Sequence, residues 1–172
     1  LSASTTVLTS AQCDMTTDQE LKQLVDRFGE NTAASVVHAS RDAIDEIEAR
    51  CNGFGDCDFV RVPSYDYTEA AKQPEWMQQQ YHACRKLGLQ VSLTDVIPLP
   101  FRAPHGLRTE HQARFHSQRY LQHLAMQIHG EGSFVFENTR AKPPEEGEPC
   151  KVEFHGGVVR ARNVFAATHS AF

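Results

Sequence analysis

The 172-residue sequence has no apolar run that approaches the roughly 20 residues needed to cross a bilayer, so no membrane span is expected. Its opening, LSASTTVLTS, has neither a basic start nor a long apolar stretch and does not read as a secretory leader. Basic charge is in deficit, with 17 Lys and Arg against 22 Asp and Glu and a formal net charge of -5. That balance argues against a general nucleic-acid binder, whose affinity rests on neutralising phosphates. The phosphate-cradling patterns Gly-x-Gly-x-x-Gly and Gly-x-x-x-x-Gly-Lys-Ser/Thr are missing, as is the Gly-x-Ser-x-Gly elbow of hydrolases. Gly53-Phe54-Gly55 alone reads as a turn. Paired cysteine motifs are missing too. Cys13, Cys51, Cys57, Cys84 and Cys150 stand singly, which favours reduced thiols and a cytoplasmic setting.

What is present is ordinary soluble-protein material, 40% hydrophobic and 23% charged, in alternating helical and strand patterns. Residues 1–16 are small and hydroxyl-rich and read as a loop. Thr17-Asp18-Gln19-Glu20 fits a capping box ahead of the helical stripe Leu21, Leu24, Val25 and Phe28, with Gly29 as its stop. Asn31 or Thr32 can cap a second helix, with Val36, Val37, Ile44, Ile47 and Cys51 on one face and a break at Asn52–Asp56. Cys57–Val62 alternates as a strand, Pro63-Ser64 reads as a turn, and Tyr65–Thr68 as its hairpin partner. Pro74 opens a helix through Trp76, Met77, Tyr81, Cys84 and Leu87, closed by Gly88. Leu89, Val91 and Leu93 alternate as a strand, three prolines keep 97–104 extended, and Gly106–Phe115 forms a polar strand. Ser117 caps a last helix that ends at Gly130.

The tail, Gly130–Phe172, has its own order. Phe134 and Phe136 suit a strand, a turn-rich connection runs from Pro143 to Pro149, and Val152 and Phe154 alternate again. His155-Gly156-Gly157 supplies the positive-φ positions of a hairpin turn, with Val158, Val159 and Ala161 returning. Asn163–Thr168 reads as a buried strand. A chain that starts at Leu1 and stops at Phe172, just past that strand, reads as a piece of something longer.

Few residues announce chemistry. His105, His111 and His116 with Glu110 lie close in sequence, but their spacing matches no metal-ligand pattern, and no metal site is expected. Cys51 and Cys57 without a second pair read as small apolar groups. Arg114, beside Gln112 in a polar strand, has the chemistry to anchor a carboxylate bidentately, or to be a solvated arginine.

The order of these pieces resembles the amino-acid-oxidase-like group of FAD-dependent oxidoreductases, which includes glycine and sarcosine oxidases. The resemblance is carried by SQRYLQHLAMQIHGEG, FVFENTRA, CKVEFHGGVVRA and NVFAATH in the tail, and by CDFVRVPSYDYTE, RKLGLQV and GLRTEHQARFHSQRYL in the middle. It is nearest to the bacterial subgroup with an appended Rieske-type domain, although no Rieske Cys-x-His pair is present here. What it implies is an α+β fold: a mixed, largely antiparallel sheet flanked by helices as substrate domain (18–116), preceded by a flavin-proximal segment (1–17). Residues 117–172 would be a returning β-meander and strand of an FAD-binding dinucleotide fold. The resemblance places Thr5, Thr6, Arg140, Ala141, Ala167, Thr168 and His169 near FAD, with His169 where the group has glycine. Tyr65, Tyr67, His111, Gln112 and Arg114 become candidates for the substrate face; no catalytic residue is assigned. The implied function is oxidation of the C–N bond of an amine or amino acid by hydride transfer to flavin, in a longer parent that supplies the missing flanking FAD-domain segments. The rival readings are a stand-alone α+β binding module without redox activity, and a piece of another flavoprotein such as a glycerol-phosphate dehydrogenase relative.

Overall fold

One strand, His105–Arg114, is hydrogen-bonded to every other strand of the larger sheet. The computed structural model describes residues 9–16 and 20–167, which divide into two units after Met126. In chain order the first unit contains β1 (Gln12–Cys13), α1 (Leu21–Phe28), α2 (Glu30–Phe54), β2 (Val60–Thr68), α3 (Glu75–Lys86), β3 (Val91–Thr94), β4 (His105–Arg114) and most of α4 (Ser117–Ile128). The second contains β5 (Cys150–Phe154) and β6 (Gly157–Ala161). The fold is α+β, and every strand pair is antiparallel.

β2 lies along the whole of one edge of β4, while β3 and β1 share the other edge end to end. Register sets the faces. Leu107 pairs with Asp66 and Leu93, and Thr109 with Ser64 and Val91. By alternation these share the inner face, where Leu107 and Val91 join Met77 and Cys84 of α3, Leu21 of α1, and Ala33, Val37 and Ile44 of α2 in one buried cluster. Arg108 pairs with Tyr65 and Ser92, and Gly106 with Tyr67 and Thr94, on the outer face.

Several boundaries differ from the sequence reading. Glu20, not Thr17, flanks the start of α1 and makes no side-chain cap; Thr17 lies outside the described residues. α2 starts at Glu30, before both expected caps, and runs through Asn52 and Gly53 to Phe54. It stops only at Gly55, whose φ of 77° and N–H bond to the Cys51 carbonyl close the last turn. Gly53 merely weakens a helix, whereas a left-handed residue ends it. The expected turn at Pro63-Ser64 is not formed, and β2 is one nine-residue strand. Proline is tolerated there because it sits where the ladder is already interrupted.

In the second unit β5 and β6 pair through a two-residue turn at His155-Gly156, of which only Gly156 has positive φ. Gly157 faces the Phe154 ring, where any β-carbon would stand 2.8 Å from it. Lys151 and Glu153 form ion pairs with Glu145 and Lys142 on one side of the hairpin. On the other side a row of rings, Phe134, Phe136 and Phe154, runs at about 6 Å spacing. The strand expected at Phe134 and Phe136 is not formed, nor is the buried strand at 163–168: Phe165 is 91% exposed and Thr168 is outside the described residues. Neither segment finds a strand partner among the described residues of this unit, and an unpaired strand leaves its backbone groups unsatisfied.

Leu107, fully buried on the inner face of β4, is the test of this core. Leu107→Ala is expected to cost about 2–5 kcal/mol, read as a fall in the urea midpoint of unfolding.

Candidate functional site

Val62 pairs with Gln112 and Ser64 with Thr109, so Glu110 and His111 together face the single residue Pro63. This is a β-bulge, and His111 adopts φ 63° within it. A left-handed side-chain-bearing residue costs energy, and bulges of this kind re-aim side chains at functional sites. Three groups hold it in place. Arg61 donates from Nη1 to the His111 carbonyl at 3.0 Å while its other nitrogens bond Glu48 and Asp45 of α2. The buried Gln112 accepts the Met15 N–H through Oε1 and donates from Nε2 to the Glu110 carbonyl at 2.7 Å. The His111 ring meets Gln90 Oε1 at 3.1 Å. Beside the bulge, where β3 stops and β1 has not begun, lies a cleft of about 440 Å³ lined by Met15, Arg41, Asp45, Arg61, Gly88, Leu89, Gln90, Glu110 and His111. Its size is that of a small-ligand pocket.

The outer face continues from the bulge. Arg108 turns toward Glu110, its Nη2 donating to Oε2 at 3.2 Å. Its Nε is 3.1 Å from Oε1 but off-line, so this buried N–H makes no hydrogen bond. At the far end Ile97 covers Gly106: a β-carbon there would stand 2.6 Å from Ile97 Cδ1. Phe101 leans on Tyr67 at 5.8 Å between ring centres. The outer face thus runs from an apolar, covered end at Ile97, Phe101 and Tyr67 to a polar end at Tyr65, Arg108 and Glu110.

Carboxylates gather on the inner side. Asp66 is pushed up from its ordinary value, first by burial and then by the charges of Asp14 and Glu20. Asp14 is raised by burial, partly offset by hydrogen bonds from Gln12 and Ser64. The fully buried Cys84 thiol is pushed up to about 12, by burial and then by Asp66, which keeps it unreactive. All five cysteines are free thiols.

The residues expected at a substrate face are therefore dispersed. Tyr65 and Tyr67 share the outer face. His111 lines the cleft, Gln112 is wholly buried with both polar ends engaged, and Arg114 is exposed at the end of β4 between Gln12 and Val60. His105 bonds the Ala71 carbonyl and His116 receives the Arg119 N–H, so both serve local structure. Among the described residues no group of three His, Cys, Asp or Glu is arranged to hold a metal ion. Sequence reasoning passed over Arg41, Arg61 and Arg108. Arg108 shares the parity of Glu110 in GLRTEHQAR, but its place beside Tyr65 needs the strand register.

Residues 2–171 match the family model of FAD dependent oxidoreductases. The chain belongs to that family. It is also similar, at 29% identity over 99% of its length, to the protein of Bacillus subtilis (strain 168) that bears the name Rieske 2Fe-2S iron-sulfur protein YhfW. The chain spans 33% of that relative, about a third of its length. No solved structure matches it significantly. Arg140, Ala141 and Ala167 are exposed, Ala141 bridging to Phe154, and Thr5, Thr6, Thr168 and His169 lie outside the described residues. With no glycine-rich phosphate loop in the sequence, these residues do not by themselves fit a dinucleotide.

Two outcomes follow for this chain. Gln112→Leu leaves the Met15 N–H and the Glu110 carbonyl without their side-chain partner and is expected to cost about 1–3 kcal/mol per unpaired group by urea denaturation. A carboxyl raised in the fold weighs against folding above its folded value and ceases to do so below its unfolded value near 4. Stability is therefore expected to rise as pH falls from neutral toward about 4, and Asp66→Asn to flatten that rise in a pH series of denaturation curves.

Proposed function

We propose that the chain is the central part of a longer flavoenzyme that oxidises the C–N bond of an amine or amino acid, passing a hydride to FAD. The observation that carries this reading is the outer face of the sheet. On it, Tyr65, Arg108 and Glu110 form a polar end beside the apolar end made by Tyr67, Ile97 and Phe101. A face of that kind suits a substrate with a charged head and a carbon skeleton. Membership in an FAD-dependent family and the chain's coverage of a third of its relative support the rest. In this reading the flavin supplies the redox chemistry, and the chain's own residues bind and orient the amine. The Arg108 guanidinium, on a side chain 40% exposed, anchors the substrate carboxylate through the edge turned away from Glu110, and Glu110 holds the guanidinium in place from the other side. The remaining FAD-domain segments come from elsewhere in the protein. A cytoplasmic setting is part of the proposal, on the strength of the five free thiols.

The full-length protein, mixed anaerobically with a panel of amines, amino acids and polyol phosphates, is expected to lose its flavin absorbance with an amine or amino acid. Bleaching by a polyol phosphate alone would move the assignment to a glycerol-phosphate dehydrogenase relative. Arg108→Gln is expected to lower kcat/KM for carboxylate-bearing substrates by roughly 10- to 100-fold, the worth of a charge-assisted hydrogen bond of about 1.5–3 kcal/mol. The 172-residue chain alone is expected to purify without flavin; stoichiometric flavin would contradict the division of the cofactor site.

A further inference from the structure

Residues 95–104 join β3 to β4, and three of them, Pro98, Pro100 and Pro104, are proline. Proline has a fixed φ and no N–H to give a ladder, so the segment neither pairs with the sheet nor coils into a helix. Short bonds set its course instead. Thr94 Oγ1 accepts the Val96 N–H at 3.0 Å, and the Leu99 N–H donates to the Ile97 carbonyl at 2.8 Å in a tight turn. The segment bends back over the outer face of the sheet, and Ile97 lies on Gly106. A β-carbon at Gly106 would stand 2.6 Å from Ile97 Cδ1 and 3.1 Å from its Cγ1. Gly106 is buried, and only glycine lets Ile97 lie this close.

Register places this contact next to Arg108. Gly106 stands between Tyr67 of β2 and Thr94 of β3, while Arg108, two residues on, stands between Tyr65 and Ser92. The two positions are one strand repeat apart, roughly 6.8 Å. Glu110 lies one repeat beyond Arg108 in the other direction and faces its Nε and Nη2. The edge of the guanidinium turned away from Glu110 looks along the face toward Gly106, and Ile97 fills the space there. Tyr67, beside Gly106, is 42% exposed and Phe101 46%, with ring centres 5.8 Å apart. Together they extend the apolar end that Ile97 closes.

A carbon chain gains by leaving water for the apolar end and gains nothing beside Glu110. Anchored at Arg108, it runs toward Ile97 and meets that side chain after a few carbons. We propose that Ile97 sets the length limit of the substrate, so that the preferred amine or amino acid is alanine-sized and not leucine-sized. Gly106 is the residue that lets Ile97 take this position. The inference rests on the reading of the outer face as the substrate site, and adds to it the residue that selects size.

The test is anaerobic reduction of the flavin in the full-length protein by two pairs of compounds, repeated with Ile97→Ala and Ile97→Val. One pair is racemic alanine and racemic leucine; the other is their decarboxylated forms, ethylamine and 3-methylbutylamine. The readout is the ratio of second-order rate constants, larger member over smaller. Because each ratio is taken within one protein, unequal flavin content or lowered stability cancels. The unaltered protein is expected to favour the smaller member. Ile97→Ala is expected to raise the ratio by roughly 10- to 100-fold, the range in which a hydrophobic pocket discriminates by a methylene, and Ile97→Val by a smaller step. A preference for the larger member, or a ratio unchanged in Ile97→Ala, would overturn the size limit and leave the substrate face standing. Flavin reduced by neither pair in any of the three proteins would remove the substrate face, and the size limit with it.

Discussion

The first unit depends on a single strand being bonded along both edges. β4 takes β2 on one side and β3 and β1, end to end, on the other, and among the described residues no other strand of the sheet bonds more than one neighbour. The extra residue in β4 falls at the junction between β3 and β1. There one edge of the ladder would be left without a partner strand, and the buried Gln112 side chain bonds Met15 instead. Proline at position 63 is acceptable because it falls at the register shift of the β2–β4 ladder itself.

From that irregularity the charges around the cleft take their order. Arg61 ties α2 to the bulge by bonding Asp45, Glu48 and the His111 carbonyl together, and Arg108 holds Glu110 on the outer face. Arg61 answers charge from α2 and Arg108 answers Glu110 of its own strand, so their value lies in fixing geometry more than in net stability. Arg41 makes no ion pair among the described residues and reaches the Gly88 carbonyl at 3.5 Å. The second unit shows the opposite economy. It has a charged side stitched by lysine–glutamate pairs and a row of phenylalanine rings, yet none of its described residues is fully buried.

Much of this was legible in the residues and some was not, for physical reasons. Helices α1, α3 and α4 follow from periodicity and from Gly29, Gly88 and Gly130, because the signals are local. The end of α2 was misread because Asn52 and Gly53 look like breakers, while the stop is the left-handed Gly55. The strand at 134–136 and the described part, 163–167, of the one expected at 163–168 were misread because alternation records only which side chains are apolar; a strand also needs a neighbour. Arg114 and Gln112 were singled out as polar residues in a polar strand, but one extra residue upstream decides their surroundings, and nothing in GLRTEHQAR marks where it falls.

The sequence by itself determined the α+β class, the positions of the helices, the β5–β6 hairpin and the family, since these rest on local periodicity, turn chemistry and the order of motifs. Only the tertiary structure decided which polar groups meet. It put Arg108 beside Tyr65 through register, and sent Gln112 into the interior and His111 to the cleft through a bulge. Register and bulges are set by pairing between residues as far apart as Gln12 and Arg114, and no local pattern encodes that match.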